Sequence, residues 1–162
     1  MKILLIVDVQ DGYINEFTQR IPKEIEKHVH NFNYDLVIAT RFINKSDSLH
    51  KSELNMKDMT MLSPHAKLAE NIGSLADIVI MKSTYTSLTV DVAKLLEKNQ
   101  VREVYVAGLN TDTSIMATAL ELFDKGIKPK ILSNLCGTIH GEQANSAALE
   151  ILKNALGENN IL

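Results

Sequence analysis

Residues 104–115 read Val-Tyr-Val-Ala-Gly-Leu-Asn-Thr-Asp-Thr-Ser-Ile, and this stretch carries the clearest indication of the fold. It begins as a short apolar run, turns at Gly108 and continues with apolar residues at helical spacing. A strand that passes through a tight turn into a helix is the basic unit of α/β domains. The first turn of such a helix has free backbone N–H groups and the positive end of the helix dipole. A hydroxyl placed there, such as that of Ser114, lies beside groups that can stabilise an oxyanion.

The same alternation extends along the rest of the chain. Short runs rich in Ile and Val are typical of strands buried on both faces of a parallel sheet. They occur at residues 3–7, 36–40, 78–81, 104–107 and 131–132, and segments with helical periodicity occur at residues 22–32, 90–98, 113–125 and 143–156. A chain of 162 residues has the length of one domain. We therefore expect a single α/β domain over residues 1–162, with a mostly parallel sheet and a long polar connection at residues 42–65.

Composition excludes several classes of protein. The net charge is −3, which gives no support for a nucleic acid or an anionic membrane as partner. No apolar run reaches the ~18–20 residues of a membrane span, and the apolar start of the chain is short enough to be a strand rather than a signal peptide. Cys136 is the only cysteine, so an intramolecular disulfide is impossible. We expect a cytoplasmic protein.

Side chains that directly follow the apolar runs are the first candidates for a site, because ligands of open parallel sheets bind beyond the carboxyl ends of the strands. Asp8 follows the first run and is either a general base or a cap of the next turn. Lys82 closes the third run and either extends to solvent or pairs with Asp8 across the crevice. Ser114 is either a nucleophile or an ordinary first-turn residue of a helix capped by Thr111 or Asp112.

Common cofactor and metal motifs are missing from the sequence. It has no glycine-rich phosphate loop, no dinucleotide fingerprint and no Gly-x-Ser-x-Gly elbow. His28 and His30 do not share a helix face, and Asp47 and His50 lie in the polar connection without the spacing of metal ligands. We therefore expect no cofactor and no metal.

Three segments fall at the ends of predicted strands: Ile-Val-Asp-Val-Gln-Asp at residues 6–11, Lys-Ser-Thr-Tyr-Thr-Ser-Leu at residues 82–88, and Val-Ala-Gly-Leu-Asn-Thr-Asp-Thr-Ser-Ile at residues 106–115. In order and content they resemble the isochorismatase-like cysteine hydrolase superfamily, which includes isochorismatases, nicotinamidases and N-carbamoylsarcosine amidohydrolases. The resemblance covers nearly the whole chain. It implies a doubly wound parallel sheet of about six strands, with helices on both faces in a three-layer αβα arrangement.

The resemblance also implies a catalytic Asp, Lys and Cys. The first two match Asp8 and Lys82, whereas the cysteine position is occupied by Ser114. A cis peptide bond is implied between Leu109 and Asn110, which would turn the Asn110 N–H toward an oxyanion beside the N–H of Ser114.

Further features of the site follow from the same resemblance. Gln10, Tyr13 and Tyr85 are expected to line a pocket for a small-molecule substrate. Nicotinamidases carry an Asp-x-His metal pair shortly after the second strand, where this chain has Arg-Phe-Ile at residues 41–43, so a metal-dependent nicotinamidase is disfavoured. Family members are commonly oligomers; we expect a homo-oligomer, a dimer or tetramer, with residues 54–62 as a possible contact.

Serine at position 114 leaves several functional hypotheses open, because a hydroxyl is far less acidic than a thiol. One hypothesis is that the chain hydrolyses a small amide or related carbonyl compound with a serine nucleophile, engineered or natural. Alternatively, it hydrolyses a vinyl ether through proton transfer from Asp8, or it is an inactive domain that binds a small molecule or partner. A flavodoxin-like receiver domain is the alternative from another class, although no strand-end Asp fits its phospho-acceptor.

Overall fold

The computed structural model describes residues 1–162 and contains five strands and six α-helices. The strands are β1 (Ile3–Val7), β2 (Leu36–Phe42), β3 (Ile78–Lys82), β4 (Glu103–Leu109) and β5 (Lys128–Gly137). The helices are α1 (Ile21–Asn31), α2 (Leu49–Ser52), α3 (Ile72–Leu75), α4 (Val90–Lys98), α5 (Met116–Asp124) and α6 (Glu142–Leu156). Short 3-10 helices occupy Asp11–Tyr13, Pro64–Ala66 and Glu158–Asn160, and Thr111–Ile115 forms a π-helical turn.

The strands form one fully parallel sheet in the order β3-β2-β1-β4-β5. This confirms the doubly wound α/β fold, with five strands rather than about six. The chain winds outward from β1 in one direction through β2 and β3, and in the other through β4 and β5. The winding direction therefore reverses between β1 and β4, and ligands of such sheets bind beyond the carboxyl ends of the strands at this point.

Helices cover both faces of the sheet, which gives the three-layer αβα arrangement. Every residue of β1 is buried, as the unbroken apolar run predicts for a central parallel strand. On one face β1 packs with residues of α4, α5 and α6, and on the other with residues of α1 and α3. None of the helices has the length and apolar character needed to cross a bilayer.

Two segments next to the sheet determine the geometry of its carboxyl edge. The long connection after β2 contains only α2 and the 3-10 helix Pro64–Ala66 before α3 begins, as its polar composition predicts. Between β4 and α5, the expected helix at residues 113–125 is divided into a π-helical turn and α5. That turn places residues 110–114 directly beyond the ends of β1 and β4.

Gly108 allows β4 to approach β1 closely at this edge. Its φ is +123°, a backbone conformation that residues with a Cβ rarely adopt. A Cβ at this position would lie 2.2 Å from the carbonyl oxygen of Val7. Glycine therefore fits here for two reasons, the backbone angle and the lack of space.

Candidate active site

Asp8 and Lys82 form a buried ion pair beyond the carboxyl ends of β1 and β3. Lys82 Nζ lies 2.6 Å from Asp8 Oδ2, and the two side chains are 0% and 1% exposed. Lys82 also donates hydrogen bonds to the backbone oxygens of Thr84 (2.7 Å) and Tyr85 (2.9 Å), so its ammonium group is held in place by the loop after β3. Pairing with Asp8, rather than extension to solvent, is the arrangement that the structure shows.

Burial shifts the proton affinities of both partners toward their neutral forms. It raises the pKa of the Asp8 carboxyl, although hydrogen bonding and charge from Lys82, and hydrogen bonding from Thr40 and Ser114, act in the opposite direction. It lowers the pKa of Lys82, which the charge of Asp8 offsets in part. A carboxylate with a raised pKa is a better proton acceptor than an exposed one, and this is a useful property for a general base.

Thr40, at the end of β2, fixes the orientation of the carboxylate. Its hydroxyl donates to Asp8 Oδ1 at 2.8 Å, and the N–H of Asp8 points back to the same hydroxyl at 3.3 Å. Thr40 is fully buried. Asp8 itself has a φ of +48°, an uncommon backbone conformation for a residue with a side chain and one that is frequent at functional sites.

Ser114 lies in the π-helical turn and faces the same carboxyl group, where its hydrogen bonding lowers the pKa of Asp8. It is buried, with 8% of its surface exposed. The peptide bond between Leu109 and Asn110 is cis, and the N–H of Asn110 takes part in no hydrogen bond of the fold. The turn thus brings together a hydroxyl, a carboxylate and a free backbone donor.

The three residues expected to line a pocket have different surroundings. Tyr13 lies close to Asp8 and Tyr85, and burial, followed by the charge of those neighbours, raises the pKa of its hydroxyl. Tyr85 is 43% exposed at the edge of the site. Gln10 is fully buried: its amide nitrogen donates to the backbone oxygens of Phe42 and Ala66, and its amide oxygen accepts from the N–H of Phe42. Gln10 therefore fastens the end of β2 to the connection after it and has little hydrogen-bonding capacity left for a ligand.

His50 belongs to the same region, although the sequence pattern singled it out only as an unsuitable metal ligand. Its ring centroid lies 4.9 Å from that of Phe42 and 4.8 Å from that of Tyr85. Burial and the positive charge of Lys82 lower its pKa. Only the folding of the polar connection over the strand ends brings α2 to this place, and no local motif marks it.

A second polar cluster, formed by Asp112, Thr138 and His140, anchors the π-helical turn from the other side. Asp112 accepts hydrogen bonds from Thr138 (2.8 Å) and contacts His140 Nδ1 (2.7 Å). Residues two positions apart do not share a face of a helix, so this carboxylate and Ser114 point in different directions. The cluster therefore holds the turn in place and does not form a Ser-His-Asp triad with Ser114.

Cys136 lies in β5 beneath the turn, paired in the sheet with Gly108. The thiol is fully buried, and burial raises its pKa to about 12. A thiolate is thus strongly disfavoured, and Cys136 packs as a small apolar residue of the core.

Together, the fold and this site define a doubly wound α/β protein with a buried carboxylate–ammonium pair facing a hydroxyl at the start of a helix, an arrangement suited to acyl transfer. A family model of the isochorismatase domain matches residues 2–159, so the chain belongs to the isochorismatase family of hydrolases. This confirms the resemblance seen in the three sequence segments and excludes the receiver-domain alternative. None of the curated protein sequences matches the chain significantly.

Solved structures with the same fold include a nicotinamidase, a pyrazinamidase and a protein solved in complex with nicotinate. The nicotinamidase PncA from Bacillus subtilis is 20% identical, with 96% of each chain covered and a TM-score of 0.85. The pyrazinamidase of Pyrococcus horikoshii in complex with zinc is 23% identical, with 96% of each chain covered and a TM-score of 0.77. PnC1 from L. infantum in complex with nicotinate is 18% identical, covers 100% of this chain and 95% of that chain, and has a TM-score of 0.81.

One of these relatives was solved in complex with zinc, so the side chains of this chain decide whether a metal ion fits here. No group of three or more His, Cys, Asp or Glu side chains converges to hold a metal ion. Arg41, near the end of β2, donates from Nε to the backbone oxygen of Ala66 at 2.6 Å. His50 is surrounded by two aromatic rings and by the cation of Lys82, which repels a metal ion. The residues present do not fit a metal at this position.

Proposed function

We propose that this chain hydrolyses a small amide or a related carbonyl compound, with Asp8 as general base, Lys82 as its partner and Ser114 as nucleophile. The observation that carries the proposal is their convergence: three side chains from distant segments meet at one buried point at the switch of the sheet. A carboxylate and an ammonium group are costly to bury, and active sites are where such arrangements recur.

In the first half-reaction, Asp8 accepts the hydroxyl proton of Ser114 while Oγ forms a bond to the carbonyl carbon of the substrate. The carbonyl oxygen becomes an oxyanion, which the N–H groups of Asn110 and Ser114 stabilise. The carbon–nitrogen bond then breaks, and the proton held by Asp8 passes to the leaving nitrogen. Ammonia or an amine departs, and the acyl group stays on Ser114.

In the second half-reaction, water attacks the acyl carbon and gives a proton to Asp8. The carbon–oxygen bond to Ser114 breaks, the proton returns to Oγ, and a carboxylic acid is released. Lys82 keeps the carboxylate oriented during both proton transfers. Tyr13 lies near both Asp8 and Tyr85, and we propose these two tyrosines as pocket walls for the substrate.

Ammonia release from a panel of aliphatic, aromatic and heteroaromatic primary amides, nicotinamide included, tests this function. We expect slow turnover by the chain, turnover about tenfold or more faster by Ser114→Cys because a thiol is more acidic and more nucleophilic than a hydroxyl, and none by Ser114→Ala. Cys136→Ser is the matched control and leaves the rates unchanged because that thiol is buried in the core. If neither the chain nor Ser114→Cys turns over any amide, the proposal is wrong.

A vinyl-ether hydrolase is the second candidate, and the raised pKa of Asp8 favours it. A carboxyl group that keeps its proton at higher pH can protonate the carbon of an enol ether without any nucleophile at position 114. Under this alternative, Ser114→Ala retains turnover of a vinyl ether. Failure of both reactions would leave the third hypothesis, a domain that binds a small molecule or a partner.

We also propose that the chain acts in the cytoplasm as a homo-oligomer. Apolar side chains are exposed along the edge strand β3 and in residues 54–62: Val79, Met81, Leu54, Met61 and Leu62. Met61 and Met81 line a common surface groove of about 650 Å³. Clustered exposed apolar surface favours association with another chain.

A further inference from the structure

A row of buried hydroxyl groups leads from Oδ1 of Asp8 into the interior of the protein. Thr40 Oγ1 is 2.8 Å from Asp8 Oδ1, and Ser87 Oγ is 3.3 Å from Thr40 Oγ1. Both residues are fully buried. Neither residue belongs to the Asp-Lys-nucleophile set.

The directions of these hydrogen bonds follow from the number of protons available. A threonine hydroxyl has one hydrogen, and Thr40 uses it on Asp8 Oδ1. Ser87 must therefore donate to Thr40, which also accepts the more distant N–H of Asp8. Thr40 is thus saturated, and its hydrogen can point only at the carboxylate.

The two oxygens of Asp8 are consequently unlike one another. Oδ1 accepts from the hydroxyl of Thr40 at 2.8 Å, whereas Oδ2 lies 2.6 Å from Lys82 Nζ. Each of these oxygens has two lone pairs and receives one of these donors, so both keep a position for a proton. The Thr40 hydroxyl, which can only donate here, therefore stabilises the ionised form of Asp8 and fixes the plane of its carboxylate.

We infer that Thr40, supported by Ser87, is a positioning residue that holds the Asp8 carboxylate ionised and oriented toward Ser114 through a hydrogen bond that it can only donate. This inference rests on the proposed function of the site. The hydroxyl of Thr40 bonds to Asp8 and Ser87, so we expect Thr40 to act on the reaction through Asp8.

The same row of bonds connects the base to the nucleophile through the protein interior. The N–H of Ser87 donates to Thr118 Oγ1 at 2.9 Å, and that hydroxyl donates to the backbone oxygen of Ser114 at 2.6 Å. Thr118 lies on α5 and is fully buried. The loop after β3 therefore fixes Asp8 and the turn that carries Ser114 to one common support, which keeps their separation constant.

Several other titratable groups lie near Asp8 and influence its protonation. Lys82 contacts it from β3, and Tyr13 approaches it from the first 3-10 helix. His50 and Tyr85 act at longer range, the first through Lys82 and the second through Tyr13. Because Asp8 and Lys82 titrate together, the measured quantity is the apparent pKa of the pair.

The test compares Thr40→Val, which keeps the shape but loses the hydroxyl, with Thr40→Ser, which keeps the hydroxyl. The ¹³C shift of the Asp8 carboxyl, assigned with Asp8→Asn, is followed by NMR as a function of pH. We expect Thr40→Val to raise the apparent pKa by about one pH unit, because a hydrogen bond to the ionised form is lost. We expect the apparent pKa of Thr40→Ser to equal that of the unsubstituted chain, and Ser87→Ala to raise the apparent pKa by less than Thr40→Val does.

Amide hydrolysis provides the second measurement. We expect kcat/KM of Thr40→Val to fall about tenfold. The acid limb of its pH profile should move to higher pH by the same amount as the apparent pKa measured by NMR. An apparent pKa that is unchanged in Thr40→Val and in Ser87→Ala overturns the inference, and so does a Thr40→Ser variant that behaves like Thr40→Val. If Thr40→Val does not fold, Ser87→Ala decides. The NMR result needs no turnover, so a failed function and a failed inference remain distinguishable.

Discussion

At the scale of single residues, the pairing of Asp8 with Lys82 is the feature on which the chemistry depends. Both groups are buried away from water, and the charge of each compensates the charge of the other. The end-of-strand rule and the family resemblance could identify both residues from the sequence. The same reasoning could not identify Thr40 or His50, because their contact with this pair depends on how β2 and the connection after it pack.

The pH dependence of amide hydrolysis follows from the state of Asp8. The carboxyl must be ionised to accept a proton, and burial raises its pKa above the ordinary value of 3.8. We expect kcat/KM to rise with pH through a midpoint above 3.8, whereas vinyl-ether hydrolysis would need protonated Asp8 and would decline as pH rises. Asp11→Asn, which removes an exposed carboxyl nearby, serves as control. An amide-hydrolysis midpoint at or below 3.8 would contradict the burial argument.

Removing the cation from the pair tests its energetics. Lys82→Met should lower the free energy of unfolding by about 3–5 kcal/mol at neutral pH, because a carboxyl group is left buried without its partner. The loss should shrink toward pH 4. In Lys82→Met the pKa of Asp8 is higher in the folded state than in the unfolded state. The variant is therefore most stable below the unfolded-state pKa of this carboxyl, and it loses stability as pH rises through the folded-state pKa.

Urea unfolding at about pH 5 and pH 8 measures this difference. Lys94→Met on the exposed side of α4 is the control and should change stability by less than about 0.5 kcal/mol. A loss for Lys82→Met that is small, or that is the same at both pH values, would show that Asp8 remains solvated without its lysine.

At the scale of secondary structure, the junction between β4 and α5 determines where Ser114 lies. Residues 104–115 predict the strand, the turn and the start of the helix. The predicted helix at residues 113–125 ends within one residue of α5. The π-helical turn at Thr111–Ile115 could not, because its hydrogen bonding depends on contacts with Thr138 and Ile139 from the loop after β5. For the same reason, the sequence could not reveal that Gln10 joins two backbone segments through its side-chain amide.

Gly108→Ala tests the close approach of β4 to β1. The new Cβ would meet the backbone of Val7 at 2.2 Å, so we expect a loss of more than about 3 kcal/mol or failure to fold. Gly126→Ala is the matched control: its φ is +74°, but nothing lies within 4 Å of the added atom. Chemical denaturation of both variants separates the cost of the backbone angle from that of the clash. Equal losses would show that space between the strands is not limiting.

At the scale of the whole molecule, the strand order brings distant segments to one edge. Asp8, Lys82 and Ser114 belong to three different parts of the chain, and only parallel strands with a reversal beside β1 place them together. Alternating strands and helices predict such a sheet, and the family resemblance predicts its doubly wound order. The expected sixth strand is absent, and β3 is left as an edge strand with exposed apolar side chains.

This exposed edge gives a prediction about assembly. We expect light scattering coupled to size exclusion to give the mass of a dimer or tetramer, and Met81→Asp to shift it toward the monomer, because a charge would be buried in the contact. Ile151→Asp, a similarly exposed position on α6, should leave the mass unchanged. A monomer at every concentration, or equal effects of both substitutions, would rule out this contact.

The account depends most on acyl transfer to Ser114, which the mass of the protein can report. The chain is mixed with an activated ester of a small carboxylic acid, quenched with acid and mapped by peptide mass spectrometry. We expect the acyl group on Ser114, and no such adduct in Ser114→Ala or Asp8→Asn, because each lacks one half of the nucleophile–base pair. Acylation of another residue, or hydrolysis that proceeds equally in Ser114→Ala, would contradict the proposed catalytic role of this site.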